Sequence, residues 1–218
     1  MMLPGARMHS ASIDLSAIRH NAAVLVERAR FRTVVADVRA DAYGHGLAAV
    51  TDAAIAGGAV VRGPEFVDGD HVVSTGAALY GLTGDSALRP AMRVSGRVVG
   101  TKTIAAGESV SYGYTWTATS RTNLALIGIG YADGLDRISS NVGSLLLNGA
   151  ARPIAGRVAM NALVLDLGGD TAELGDEAVV FGDPAAGEPA VWDWASALGR
   201  PAAEAASVFG SHLPREYR

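Results

Sequence analysis

Lysine amines, cysteine thiols and clustered carboxylates carry much of the covalent and metal chemistry of proteins, and this sequence is short of all three. Cysteine is absent, which excludes disulfides, thiolate metal sites and a cysteine nucleophile. Lys102 is the single lysine; every other basic side chain is an arginine, which stays protonated and offers no free amine. Asp41, Asp133 and Asp136 lack metal-ligand spacing, the five histidines are scattered, and no serine sits in a nucleophile elbow. The candidates that remain are arginines and tyrosines in glycine-rich segments. Arg39 opens the turn Arg-Ala-Asp-Ala-Tyr-Gly-His-Gly (39–46) and reads either as an anion clamp or as a strand-end charge paired with Asp41 or solvent. Tyr112 lies in Val-Ser-Tyr-Gly-Tyr-Thr-Trp (110–116). It reads either as a general acid or base or as a strand tyrosine packed at a sheet surface.

These residues need elements to hold them. Apolar residues recur at helical spacing over 14–30, with capping side chains between Ser10 and Asp14. Thr33–Val38 reads as a buried strand running into the glycine-rich turn, and Leu47–Ala56 as a helix ended by Gly57-Gly58. Residues 59–72 show no periodic element, and Ala77–Leu82 reads as one more short strand. From about Pro90 the pattern is β-rich. Met92–Thr101, Glu108–Thr117, Leu124–Gly130, Ala162–Leu167 and Glu177–Phe181 read as strands. Ser144–Leu147, Asn148-Gly149 and Ala151–Ile154 carry a hairpin signal. Pro189–Leu198 and Ala202–Phe209 read as closing helices. Trp192 and Trp194, two apart in the first of these, point to different faces, so at most one is deeply buried.

The chain has 218 residues, 49% of them apolar, and a net charge of -4. That is enough for a real core, and it argues against a general nucleic-acid surface. Its apolar stretches, such as Leu124–Ile129, fall short of the ~20 residues that cross a bilayer. With no signal-peptide pattern at the N-terminus, a cytoplasmic protein without membrane contact is expected.

Several segments taken together resemble the alanine racemase family of pyridoxal-phosphate enzymes. They are Val38–Gly46, Gly76-Ala-Ala-Leu-Tyr-Gly81, Val110–Trp116, Ile129-Gly-Tyr-Ala-Asp-Gly134, Gly156-Arg-Val-Ala-Met-Asn161 and the terminal Leu213-Pro-Arg-Glu-Tyr217. The resemblance implies an α+β, mostly β fold. An alanine-racemase-type C-terminal β domain (86–218) would follow a truncated β/α remnant of a TIM barrel (1–84), since a whole barrel takes about 250 residues. It implies Tyr112 at the position of the family's general base or acid. Arg39 stands at the position of the cofactor lysine.

The cofactor, pyridoxal phosphate, would lie near Tyr43, Ser74 and Gly76. Tyr43 keeps a phosphate-contact position, and Ser74 stands where the family carries an arginine under the pyridine nitrogen. Tyr131, Arg137 and Met160 match substrate-side positions. Their structural alternatives are β-domain core for Tyr131 and Met160, and a solvated loop charge for Arg137. A guanidinium cannot form a Schiff base. The family reaction, L-alanine to D-alanine, is therefore expected to be impaired or lost here. The other expectation is a non-catalytic module that forms a homodimer or docks on an intact racemase.

Overall fold

Alternating small and branched residues over His9–Ile13 form β1, with Ala11 and Ile13 buried and Ser10 and Ser12 on the open side. The computed structural model describes residues 8–61 and 71–218. Asp14 caps α1 (Leu15–Ala29), its carboxylate accepting from the Ser16 and Ala17 amides at 2.9 and 3.1 Å. The helix expected over 14–30 is thus present with its cap. Then come β2 (Thr33–Ala36), a short turn α2 (Arg39–Tyr43), α3 (Leu47–Ala56), β3 (Val60–Val61) and β4 (Val72–Ser74). β2 pairs in parallel with β3 on one side and β4 on the other. The stretch 59–72, expected to lack a periodic element, supplies parts of these two edge strands; residues 62–70 lie outside the described residues.

Ala77–Leu82 is not a strand. Gly76–Tyr80 is a 3-10 helix with Leu79 and Tyr80 fully buried. A short apolar run without alternation does not separate strand from helix. The helix is fixed from outside by Asn21, fully buried on α1. Its amide donates to the Leu79 and Arg89 carbonyls at 2.9 and 2.8 Å, and its oxygen accepts from the Arg89 amide at 2.8 Å. Gly81 (φ 66°) turns the chain so closely that a Cβ there would lie 2.1 Å from the Arg89 carbonyl oxygen.

The β-rich part runs β5 (Met92–Ile104), β6 (Ser109–Val110), β7 (Trp116–Thr117), β8 (Thr122–Ile127), β9 (Ser144–Leu147), β10 (Ala150–Pro153), β11 (Leu163–Gly168) and β12 (Glu177–Phe181). It closes with α4 (Val191–Ala197), α5 (Ala202–His212) and β13 (Arg215–Tyr217). β5 is the spine. Its first half pairs antiparallel with β1 and β12, its second half with β8. The expected hairpin is β9–β10, with Asn148 and Gly149 both left-handed (φ 52° and 76°) as a two-residue primed turn requires. Trp194 is buried and Trp192 only partly so, as their spacing implies.

Two sequence expectations need correction here. Glu108–Thr117 is not one strand but two two-residue strands, β6 and β7, joined by a loop over 111–115. Ser111 (φ 66°) and Gly113 (φ 78°) break the extended run. β1, unforeseen, leaves the parallel unit and inserts into the β lobe between β5 and β13. Continuous apolar packing then joins Ile18 and Val50 of the parallel unit to Val94, Ile127 and Phe181 of the lobe.

Candidate functional site

Parallel strands present their C-terminal ends, and the loops there are where such sheets place their sites. β2 ends at Ala36, and Asp37 follows with its carboxylate almost wholly buried. Its amide donates to Thr75 Oγ1 at 2.9 Å and its carbonyl accepts from Tyr80 Oη at 2.6 Å. Held this way, the carboxylate faces Arg39 and Tyr43. Arg39 Nε and Nη2 donate to its two oxygens at 2.7 and 2.5 Å, and Tyr43 Oη donates to Oδ2 at 2.9 Å. The Arg39 guanidinium holds the Asp37 carboxyl below the usual carboxylate range, and Asp37 in turn raises Arg39. Burial, then the bond to Asp37, pushes the Tyr43 hydroxyl up. Arg39 is therefore paired with Asp37 and not with Asp41.

The backbone that carries this cluster is unusual. Ala40, Asp41, Ala42 and Tyr43 are all left-handed (φ 51°, 54°, 57° and 54°), and Gly44 continues at 79°. Each non-glycine residue there costs about 1–2 kcal/mol. Such runs persist only when the surroundings over-determine them. Here Asp41 Oδ1 accepts from the Leu47 amide at 2.7 Å, and its other oxygen is gripped by Arg215. His45, fully buried and packed on the Tyr80 ring at 4.5 Å, places Nδ1 3.0 Å from the Ala42 and Tyr43 carbonyls. Gly210 of α5 lets the Gly44 carbonyl come within 2.1 Å of where a Cβ would sit.

Ser74 pairs with Val35 on the neighbouring strand, and Gly76 begins the 3-10 helix facing open space. The structure thus brings Arg39 and Tyr43 together, with Ser74 and Gly76 on the adjacent strand end. Sequence reasoning missed the organisers of this end: Asp37, Thr75, Tyr80 and Arg215. Asp37 offered a signal, a charged residue closing a β-branched run.

Tyr112, Tyr131, Arg137 and Met160 gather at the end of the β lobe. Ser111 Oγ donates to the Arg157 carbonyl at 2.5 Å, Asn141 Nδ2 to Thr115 Oγ1 at 3.2 Å, and Asn141 Oδ1 accepts from the Gly156 amide at 2.7 Å. The Tyr131 and Ala132 amides donate to the Ala159 and Met160 carbonyls at 3.0 and 2.9 Å. Three motif loops are thereby laced into one surface. Arg137 lies over the Tyr131 ring, 5.4 Å from its centroid, beside a cavity of about 330 Å³ shared with Val208 and His212. Tyr131 and Met160 are not core residues: they are 39% and 55% exposed. Nor is Tyr112 a strand tyrosine. It sits on the 111–115 loop, 76% exposed, and its hydroxyl makes no hydrogen bond among the described residues. α5 joins the two clusters, touching Gly44 through Ser207 and Gly134 through Phe209.

A three-stranded parallel β/α unit with a polar cluster at its strand ends, followed by a β lobe that borrows the first strand, defines a two-part architecture of a partial β/α unit and a β domain. Residues 91–217 match the family model of the alanine racemase C-terminal domain, and residues 13–68 match that of the alanine racemase N-terminal domain. The chain belongs to the alanine racemase family. It is 47% identical over 151 residues to an alanine racemase of Salinispora arenicola (strain CNS-205), a match that covers 67% of this chain and 41% of the relative. It superposes on an alanine racemase of Streptomyces coelicolor A3(2) with a TM-score of 0.88 and 25% identity, the alignment extending over 96% of this chain and 98% of that one. The fold is also shared with an alanine racemase from Bartonella henselae that has covalently bound pyridoxal phosphate (TM-score 0.86, 18% identity, 98% of this chain and 100% of that one). In sequence the chain spans about two fifths of the length of the curated relatives it matches.

The residues present do not fit a covalently attached pyridoxal phosphate. Attachment needs a side-chain amine, and Arg39 offers a guanidinium already spent on Asp37. Ser74, on the adjacent strand end, has a neutral side chain. Lys102 is exposed on β5, in the other lobe.

Proposed function

We propose that this chain is a racemase-family protein that does not interconvert L- and D-alanine by itself. The observation that carries this reading is Arg39: at the position resembling the family's cofactor lysine it has no amine, and Asp37 fixes it in an ion pair. Tyr112, the resemblance's acid or base, then has no partner group on the opposite face of a substrate. The test is incubation of purified protein with pyridoxal phosphate, borohydride trapping and peptide mapping, alongside an assay for D-alanine. No label and no D-alanine are expected; D-alanine formation, or a label at Lys102 or the N-terminal amine with activity, would overturn the reading.

A second reading concerns the β-lobe end. Tyr112, Tyr114, Ile138, Val142 and Met160 are all exposed on loops that meet there. Aromatic and methionine side chains grouped on a surface favour a protein partner. The resemblance suggests a second copy of this chain or an intact racemase, in the cytoplasm; no helix among the described residues is long and apolar enough to cross a membrane. Size-exclusion chromatography with and without an intact racemase tests this. A monomer that forms no complex at micromolar concentration removes the docking idea.

A further inference from the structure

The outward face of the sheet formed by β1, β5 and β12 holds a polar concavity of about 400 Å³. Its floor follows from strand register. Ser10 lies opposite Ser95 and Ser12 opposite Arg93, and Arg97 follows two residues further along β5 on the same face. The intervening Ala11, Ile13 and Val94 point into the core. A register shift between Val179 and Phe181 of β12 bends the sheet at this place.

An outward sheet face is ordinarily polar, but here donors and acceptors do not balance. Both Glu177 oxygens are engaged: one accepts from Arg93 Nη2 at 2.9 Å, the other from Ser95 Oγ at 2.7 Å, and Arg97 acts on the same carboxylate only through space. Arg93 gives its Nε to Glu188 at 2.6 Å. Ser95, buried beneath them, is satisfied. Glu216 is not free either. The donors are another matter. Among the described residues Arg97 spends only Nη1, on the Gly175 carbonyl at 3.0 Å. Arg218 makes one long ion pair, Nε to Asp14 Oδ2 at 3.9 Å, and no hydrogen bond from its guanidinium among the described residues. The Ser10 and Ser12 hydroxyls make no hydrogen bond among the described residues. Among the described residues, donor atoms of Arg97 and Arg218 and two hydroxyls remain to face one concavity whose Glu177 and Glu216 already have partners.

We propose that this groove binds a small oxyanion, a phosphate or carboxylate group, through Arg97, Arg218, Ser10 and Ser12. Guanidinium forks match the paired oxygens of such groups, and charge-assisted bonds to them are the strong ones. The site lies on the β lobe, away from the strand ends that carry Arg39 and Tyr43, and it does not depend on the function proposed above.

The test uses the full chain at constant ionic strength, titrated with inorganic phosphate, citrate and chloride in separate arms. Backbone amide shifts followed by NMR locate the response. Phosphate or citrate should move amides of β1 and the first half of β5 while chloride does not, and the two arms tell which oxyanion is preferred. Arg97→Gln, or Ser10→Ala with Ser12→Ala, should weaken phosphate binding roughly tenfold; Arg121→Gln, an exposed control, should not. Equal shifts with chloride, or phosphate shifts centred on Tyr43 and Gly76, would overturn the proposal. The wild-type map alone decides if a variant fails to fold.

Discussion

Arg215 grips Asp41 across 174 positions of sequence and also donates to the Gly44 carbonyl, at 3.2 Å. One side chain near the end of the chain thus holds the left-handed turn that presents Arg39 and Tyr43. It also holds Asp41 below the ordinary carboxylate range, the bond from Arg215 being the largest cause.

Arg215→Gln should loosen that turn. The pair is partly exposed, so solvent screening limits its worth. A loss of about 1 kcal/mol is expected, read by chemical denaturation. The local effect should be larger than the global one: hydrogen exchange at the Gly44 and His45 amides should speed up well before the β-lobe amides respond. Unchanged protection at these two amides would show that α5 alone holds the turn.

Ala40→Gly should stabilise the protein. Ala40 is exposed and left-handed at φ 51°. Glycine removes a conformational cost of about 1–2 kcal/mol and returns part of it as chain entropy. A net gain of up to about 1 kcal/mol should appear as a higher denaturation midpoint with unchanged m. A destabilised variant would contradict the claim that this turn is strained.

His45 sets a pH window. Burial pushes its imidazole down to about 4 from 6.5. Between these values the unfolded chain binds a proton that the folded chain refuses. This contribution to stability is complete above about pH 6.5, falls as pH drops toward 4, and levels off below, for a total of about 3 kcal/mol. Asp37 and Asp41, both lowered by arginine partners, add a further loss only at still lower pH. Denaturation midpoints measured from pH 4 to 8 should show this slope, and His45→Gln should flatten it. A slope of equal size in the variant would assign it to other groups.

Arg39→Lys returns an amine to the end of β2. After incubation with pyridoxal phosphate and borohydride, position 39 should carry the label in the variant and none in the wild type. No racemase activity is expected from the variant, since Ser74 is neutral. A variant that remains unlabelled at position 39 would show that this strand end cannot seat the cofactor at all.

Much of this was legible in the residues because it is local. The Asp14 cap, the helices over 14–30 and Leu47–Ala56 and the Asn148-Gly149 hairpin depend on neighbours a few positions apart. The motif loops around Tyr112, Tyr131 and Met160 could be named from sequence, but not their exposure, which depends on what packs against them. The 3-10 helix at Gly76–Tyr80 was illegible because Asn21, 58 positions before Leu79, decides it. The same holds for Asp37: its partners Thr75 and Tyr80 come from 38 and 43 positions away. His9–Ile13 alternates over only five residues, too few to announce a strand so close to a helix cap.

The place of β1 between β5 and β13 has a consequence for synthesis. Ala11 pairs with Val94 on one side and with Arg215 on the other. During translation the first strand must wait for its first neighbour, and then until almost all of this sequence has left the ribosome for its second. Contacts of such long sequence separation form late and slowly. β1 should stay uncommitted on its β13 side, and the sheet should close only when β13 arrives. Pulse-labelled hydrogen exchange during refolding should find the Ala11 amide, bonded to the Pro214 carbonyl at 3.0 Å, among the last to be protected. Early protection there would mean that the two ends meet before the rest of the lobe has formed.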